Sequence, residues 1–136
     1  MKERHSKAHM RAAQIYADLS YCNKRKVGCV VVKNDRIISI GYNGTPSGAD
    51  NQCEDASGHT FDTVIHAEDN AIRKLEQSPE TGDGAVLFVT TAPCIECAFL
   101  IFNFGIREVY YNDAFKNEKG IQYLQDKGVV VTQLPQ

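Results

Sequence analysis

Apolar residues at three-and-four spacing open the chain: Ala8, Ala12, Ile15, Tyr16 and Leu19 line one stripe and predict an amphipathic helix over 2–20. Two β-branched runs, 27–33 and 37–42, flank Asn34-Asp35 and predict a hairpin. From 44 to 63 no period survives, and Gly, Pro, Ser, Asn and Asp dominate. An unstructured stretch of that length is uncommon in a compact domain and usually serves function. At His66 the helical period returns, with Ala67, Ala71 and Leu75 on one face and Ser78-Pro79 as the stop. The run 85–91 is apolar and β-prone, hence a buried strand. Pro93 then stands at a helix start, where its missing N–H costs nothing. The helix over 94–104 carries Ala98, Phe99, Leu100, Ile101, Phe102 and Phe104, apolar on most sides, and Gly105 caps it. A strand over 106–111, a helix over 118–127 and a strand over 129–132 complete the order α-β-β-α-β-α-β-α-β. A hairpin followed by strand–helix alternation predicts a mixed five-stranded sheet with helices on both faces.

Ligand-type residues gather at two of these helix starts: His66, then Cys94 and Cys97. Zinc takes imidazole and thiolate in tetrahedral sites, and catalytic sites leave the fourth position to water. Cys-x-x-Cys over a first helical turn can bring both sulfurs to one ion, and the positive end of the helix favours the thiolate. Alone, Cys-x-x-Cys also suits a redox pair, and a lone His is more often a satisfied core residue. Glu68 separates the readings. A structural zinc site has no use for a carboxylate beside it, whereas a hydrolytic site needs a group to take a proton from water and pass it on. Residues two apart in mid-helix do not face each other, so His66 and Glu68 can share a site only at the first turn.

His66-Ala67-Glu68 with Pro93-Cys94-Ile95-Glu96-Cys97 matches the pattern H-x-E…P-C-x-x-C of zinc deaminases. The chain therefore resembles the cytidine deaminase superfamily, which implies a three-layer α/β/α cytidine deaminase-like fold. Lys26-Val27-Gly28, the run Gly41-Tyr42-Asn43-Gly44-Thr45-Pro46-Ser47-Gly48 and the block from Val89 to Ala98 are most similar to the deoxycytidylate (dCMP) deaminase family. That resemblance implies conversion of dCMP to dUMP and ammonia, supplying thymidylate synthesis, with one catalytic zinc on His66, Cys94 and Cys97 and Glu68 as the proton carrier. It also implies substrate contacts from Asn43, the Ala67 backbone N–H, Lys26, Thr45 and Phe115, the last where a Tyr is more usual. Activation by dCTP and inhibition by dTTP would involve the loop of Asn43, Gly44 and Gly48. Some relatives hold a second, structural zinc, for which Cys22, Cys53 and His59 are the candidates here; free thiols are the alternative. Assembly as homo-oligomers, hexamers or smaller, is implied too.

Composition narrows the rest. At 136 residues the chain is read as one domain over 1–136, and 43% hydrophobic with 24% charged residues is ordinary globular usage. A net charge of −2 argues against general nucleic-acid binding, although Lys24, Arg25 and Lys26 form a local basic cluster suited to a phosphate. No apolar run is long enough to span a membrane, and the N-terminal segment lacks a signal core, so a cytoplasmic location is expected. Five cysteines in that setting point to thiols and metal ligands before disulfides. Remaining rivals are a deaminase of dCTP, cytidine, a pterin or flavin precursor or tRNA adenosine, and a catalytically silent zinc-binding nucleotide sensor.

Overall fold

The β-branched runs form strands because their side chains alternate onto two faces that are both covered. In the computed structural model, which describes residues 1–135, β1 (Gly28–Lys33) and β2 (Arg36–Tyr42) form the hairpin. Its turn places Asn34 and Asp35 at φ 52° and 62°, the left-handed pair that matches the strands' twist. Helices α1 (Glu3–Ala17) and α2 (Ala67–Glu76) bracket the hairpin in sequence. They are followed by β3 (Ala85–Thr91), α3 (Ile95–Phe104), β4 (Glu108–Asp113), α4 (Lys119–Asp126) and β5 (Val130–Gln133). The sheet runs β2-β1-β3-β4-β5, antiparallel from β2 to β3 and parallel from β3 to β5. It is the mixed five-stranded, three-layer architecture expected from the sequence.

Strand alternation decides which helix covers which face. Val30, Val32, Val86 and Phe88 point to one side and pack on Met10 and Ala13 of α1. Val31, Leu87, Val89 and Val109 point to the other and pack on Ala67, Ala71 and Leu75 of α2, Ala98 and Ile101 of α3 and Leu124 of α4. Both faces being covered, β1 and β3 read as continuous apolar runs instead of alternating ones. His5 and His9, one turn apart on α1, donate to the two carboxylate oxygens of Asp35 at 2.7 and 2.8 Å and staple the helix to the hairpin turn. These bonds, His9's foremost, hold the Asp35 carboxyl below its usual range.

Two elements differ from the sequence expectation by more than one residue. Helix α1 stops at Ala17, because Leu19 and Ser20 donate to Tyr16 and Ala17 in a tightened turn. Strand β4 starts at Glu108: Gly105 adopts φ 106° and the Ile106 N–H returns to Ile101 O, so 105–106 are spent closing α3. Helix α3 is less enclosed than its composition suggests. Cys97, Ala98 and Ile101 are buried, while Phe99 is 43% exposed and sits edge-on against Tyr123.

Helix α2 is stitched onto β2. The Ser39 hydroxyl donates to Ala71 O, the Asn70 amide to Tyr42 O and Lys74 to Ile40 O, all within 2.8 Å. The approach is so close that a Cβ on Gly41 would collide with Ala67 O and Ala71 N. Gly120 of α4 likewise lies against the carbonyls of Pro93 and Cys94. Gly41→Ala and Gly120→Ala should each lose about 1–3 kcal/mol through overpacking, because backbone atoms cannot rotate aside. At Gly120 the gain of about 1 kcal/mol in helix propensity offsets only part of this. Gly44→Ala, with nothing within 4 Å of the added carbon, should be near neutral; urea titration of the three variants checks the ranking.

Candidate metal and proton-transfer site

His66 is the N-cap of α2 and Cys94 the N-cap of α3, both with extended backbone (φ −72°, ψ 156° and φ −73°, ψ 174°). That resolves the spacing difficulty between His66 and Glu68. The ring leaves the chain before helical geometry begins, so it and Glu68 in the first turn need not oppose each other. Cys97 follows one turn into α3, and the segment leading to Cys94 is fixed by the Ala92 N–H donating to Asp113 O at 2.8 Å. The topology thus brings two helix starts together beside the carboxyl end of β3.

His66 Nδ1 lies 3.3 Å from Cys97 Sγ and 3.5 Å from Cys94 Sγ, and all three donor atoms are mutually within 4.8 Å. A tetrahedral zinc with its usual bonds to nitrogen and sulfur sets those atoms about 3.6 Å apart. The donor set therefore fits zinc in identity and spacing. The acidities of the donor atoms agree with that chemistry. Cys94 is lowered to about 3 by the hydrogen bond from Cys97 and by His66, and the same contact with Cys94, reinforced by burial, pushes Cys97 up. His66 is raised to about 9, chiefly by its hydrogen bond to Cys94. Beside it, Glu68 is 4% exposed, and burial lifts its carboxyl to about 7 against the opposing pull of hydrogen bonds and His66. A carboxyl placed so can both accept and release a proton near neutral pH.

His66, Glu68 and Cys94 line a cavity of about 320 Å³. Asn43, Ala67 and Phe115 line it, as do Lys24 and Arg25. Asn43 is already engaged: its Oδ1 accepts from Val27 N–H and its Nδ2 donates to Arg25 O, both at 2.8 Å. Ala67 is the first residue of α2, so its N–H has no partner within the helix. Lys26 and Thr45 are not among the lining residues, and Lys26 Nζ instead donates to Ser20 O at 2.7 Å. Gly44 and Gly48 also stand outside the cavity; Gly44 bridges Ile65 at the root of the long loop.

The second ligand set is not assembled as the sequence suggested. Cys22 and Cys53 are joined in a disulfide, correcting the expectation of thiols or metal ligands at these positions. His59 is exposed and turned toward Asp55, and Glu54 is the residue that stands beside the two sulfurs. Sequence reasoning missed Glu54 and Lys116, both on the cavity wall. Lys116 had a signal, since it directly follows Phe115; Glu54, in the loop without a period, had none.

Residues 3–113 match the family model of the cytidine and deoxycytidylate deaminase zinc-binding region. The chain belongs to that family. It is 40% identical over 137 residues to the deoxycytidylate deaminase of Schizosaccharomyces pombe, covering 91% of this chain and 42% of the yeast protein. The chain thus spans under half the length of that relative. Against the deoxycytidylate deaminase of Enterobacteria phage T4 identity is 30%, with 93% of this chain and 88% of the phage protein covered. The crystal structure of dCMP deaminase from the cyanophage S-TIM5, in complex with dCMP and dUMP, superposes with a TM-score of 0.95 at 41% identity, covering 98% of this chain and 99% of that one. Among the described residues, no helix is long and apolar enough to cross a membrane.

As a member of this family the chain should purify with zinc. His66→Ala and Cys94→Ser should each lower metal content by at least about tenfold, since each removes one of three protein ligands. Glu68→Gln should leave it unchanged. Elemental analysis after dialysis checks all three, and loss of zinc from the Glu68 variant would make that residue a ligand.

Proposed function

We propose that the protein hydrolyses dCMP to dUMP and ammonia. The observation that carries this reading is a buried carboxyl with a near-neutral pKa beside a His/Cys/Cys donor set, in a cavity rimmed by unpaired cations. His66, Cys94 and Cys97 would hold one zinc, which when bound supplies the Lewis acidity that makes water nucleophilic near pH 7. Glu68 takes a proton from the attacking water and hands it to N3 of the cytosine ring, which makes C4 electrophilic. It then takes the remaining proton from the hydroxyl now on C4 and carries it to the amino nitrogen, so that the C4–N bond breaks and ammonia leaves. Water supplies the new carbonyl oxygen, and the carboxylate ends the cycle as it began. The Ala67 N–H, without a partner in the helix, suits the cytosine O2. Phe115 offers a ring face to the base. Asn43, with one amide hydrogen left beyond its backbone bonds, suits a sugar hydroxyl. Lys24, Arg25 and Lys116 make no ion pair among the described residues and together suit a single phosphate.

The product would feed thymidylate synthesis. Regulation by dCTP and dTTP would act through the Asn43–Gly48 loop, whose Gly44 and Gly48 face open space. The exposed Phe99 of α3 supports self-association into a homo-oligomer.

Ultraviolet absorbance of the zinc-loaded protein mixed with dCMP should show conversion to dUMP, with cytidine and dCTP turned over far more slowly. Inactivity toward dCMP, with dCTP added as an activator, overturns the substrate assignment. Glu68→Ala should lower kcat by about 10²–10⁴-fold with zinc retained; a variant of normal turnover refutes the proton-transfer role.

A further inference from the structure

Glu54 is a nearly buried acid, 9% exposed, that makes no ion pair among the described residues. Carboxylates are rarely buried without a partner. Its partners here are backbone groups: Oε2 accepts the N–H of Asn23 and of Lys24, each at 3.1 Å, and Oε1 lies 3.3 Å from the Asn23 N–H. One residue earlier, Cys53 is bonded to Cys22. The dipeptide Cys53-Glu54 therefore grips residues 22, 23 and 24 in succession. From the other side the Asn43 amide straddles Arg25 O and Val27 N, and Lys26 is tied back to Ser20. The turn from Cys22 to Val27 is held along its backbone, while the side chains of Lys24 and Arg25 make no hydrogen bond or ion pair among the described residues and border the cavity. An acid beside an anion subsite would oppose the anion unless its charge were engaged elsewhere. Both Glu54 oxygens are engaged by N–H groups.

We infer that Glu54 is a positioning residue: it fixes the Asn23–Lys24 backbone so that Lys24 and Arg25 meet the phosphate of the substrate. This rests on the reading of the cavity as a dCMP site. Charge-assisted hydrogen bonds to backbone N–H groups are short, directional and stronger than neutral ones, which suits holding a loop in register. A displaced turn leaves both cations on the protein but moves them off the phosphate. The loss should therefore fall on substrates that carry a phosphate and spare the chemistry at Glu68.

The test compares wild type, Glu54→Gln and Glu54→Ala on dCMP and on deoxycytidine, which lacks the phosphate, alongside amide hydrogen exchange at Asn23 and Lys24. Expected for Glu54→Ala is a rise in KM for dCMP of about tenfold or more, kcat within about twofold, and an unchanged kcat/KM for deoxycytidine. Glu54→Gln, isosteric and still able to accept one N–H, should give a smaller rise. Exchange at both amides should quicken in each variant. Should the alanine variant fail to fold, the glutamine variant decides alone by the same readouts. An unmoved KM for dCMP, or an equal loss on dCMP and deoxycytidine, overturns the positioning role. Wild-type protein inactive on dCMP overturns the functional reading instead.

Discussion

Two helices that start far apart in sequence must begin at nearly the same point in space, and the reactive end of the molecule depends on that convergence. His66 and Cys94 are both N-caps, 28 residues apart, and each lies where a helix is pressed hard against another segment. The pressing is backbone on backbone: α2 on β2 across Gly41, and α4 on the Pro93–Cys94 turn across Gly120. Protein interiors yield little to added volume, so these contacts act as stops that set where each donor atom lies. Hydrogen bonds from Ser39, Asn70 and Lys74 keep α2 against its stop.

Electrostatics then divide the site by exposure. The Glu68 carboxyl and the Cys97 sulfur are buried, and there desolvation works against negative charge, which a divalent cation would relieve. At the rim stand Lys24, Arg25 and Lys116, in a chain whose net charge is −2. The buried Glu68 carboxyl and the exposed cations thus occupy separate parts of one cavity wall. Such a division lets binding and chemistry draw on separate groups.

Legibility followed sequence distance. His66, Glu68, Cys94 and Cys97 could be read because their spacing is local to two helical turns, and the spacing itself carries the chemistry. The sheet was readable because the strands keep long β-branched runs between turn residues. Positions fixed only through space could not be read. Gly120 has no sequence relation to Pro93, nor Glu54 to Asn23, and their contacts exist only after the elements pack. The Cys22–Cys53 pairing belongs with these: their Cα atoms are 5.2 Å apart across a separation of 31 residues, which no spacing rule supplies. Strand β4 was misplaced by two residues for a related reason, since only the fold reveals that Ile106 is used to close α3.

The parallel half of the sheet has a consequence for how this scaffold can diversify. The Pro93–Cys94 turn follows β3, and Phe115 and Lys116 follow β4, so both cavity-lining segments leave the same end of two adjacent strands. The first is bound by the demands of its donor atoms. The second lies in the connection to α4, outside regular structure, and can change in length or residue type without disturbing a single pair in the ladder. Such a wall is modular, open to revision in a few loop residues while the donor atoms at the two helix starts stay where they are.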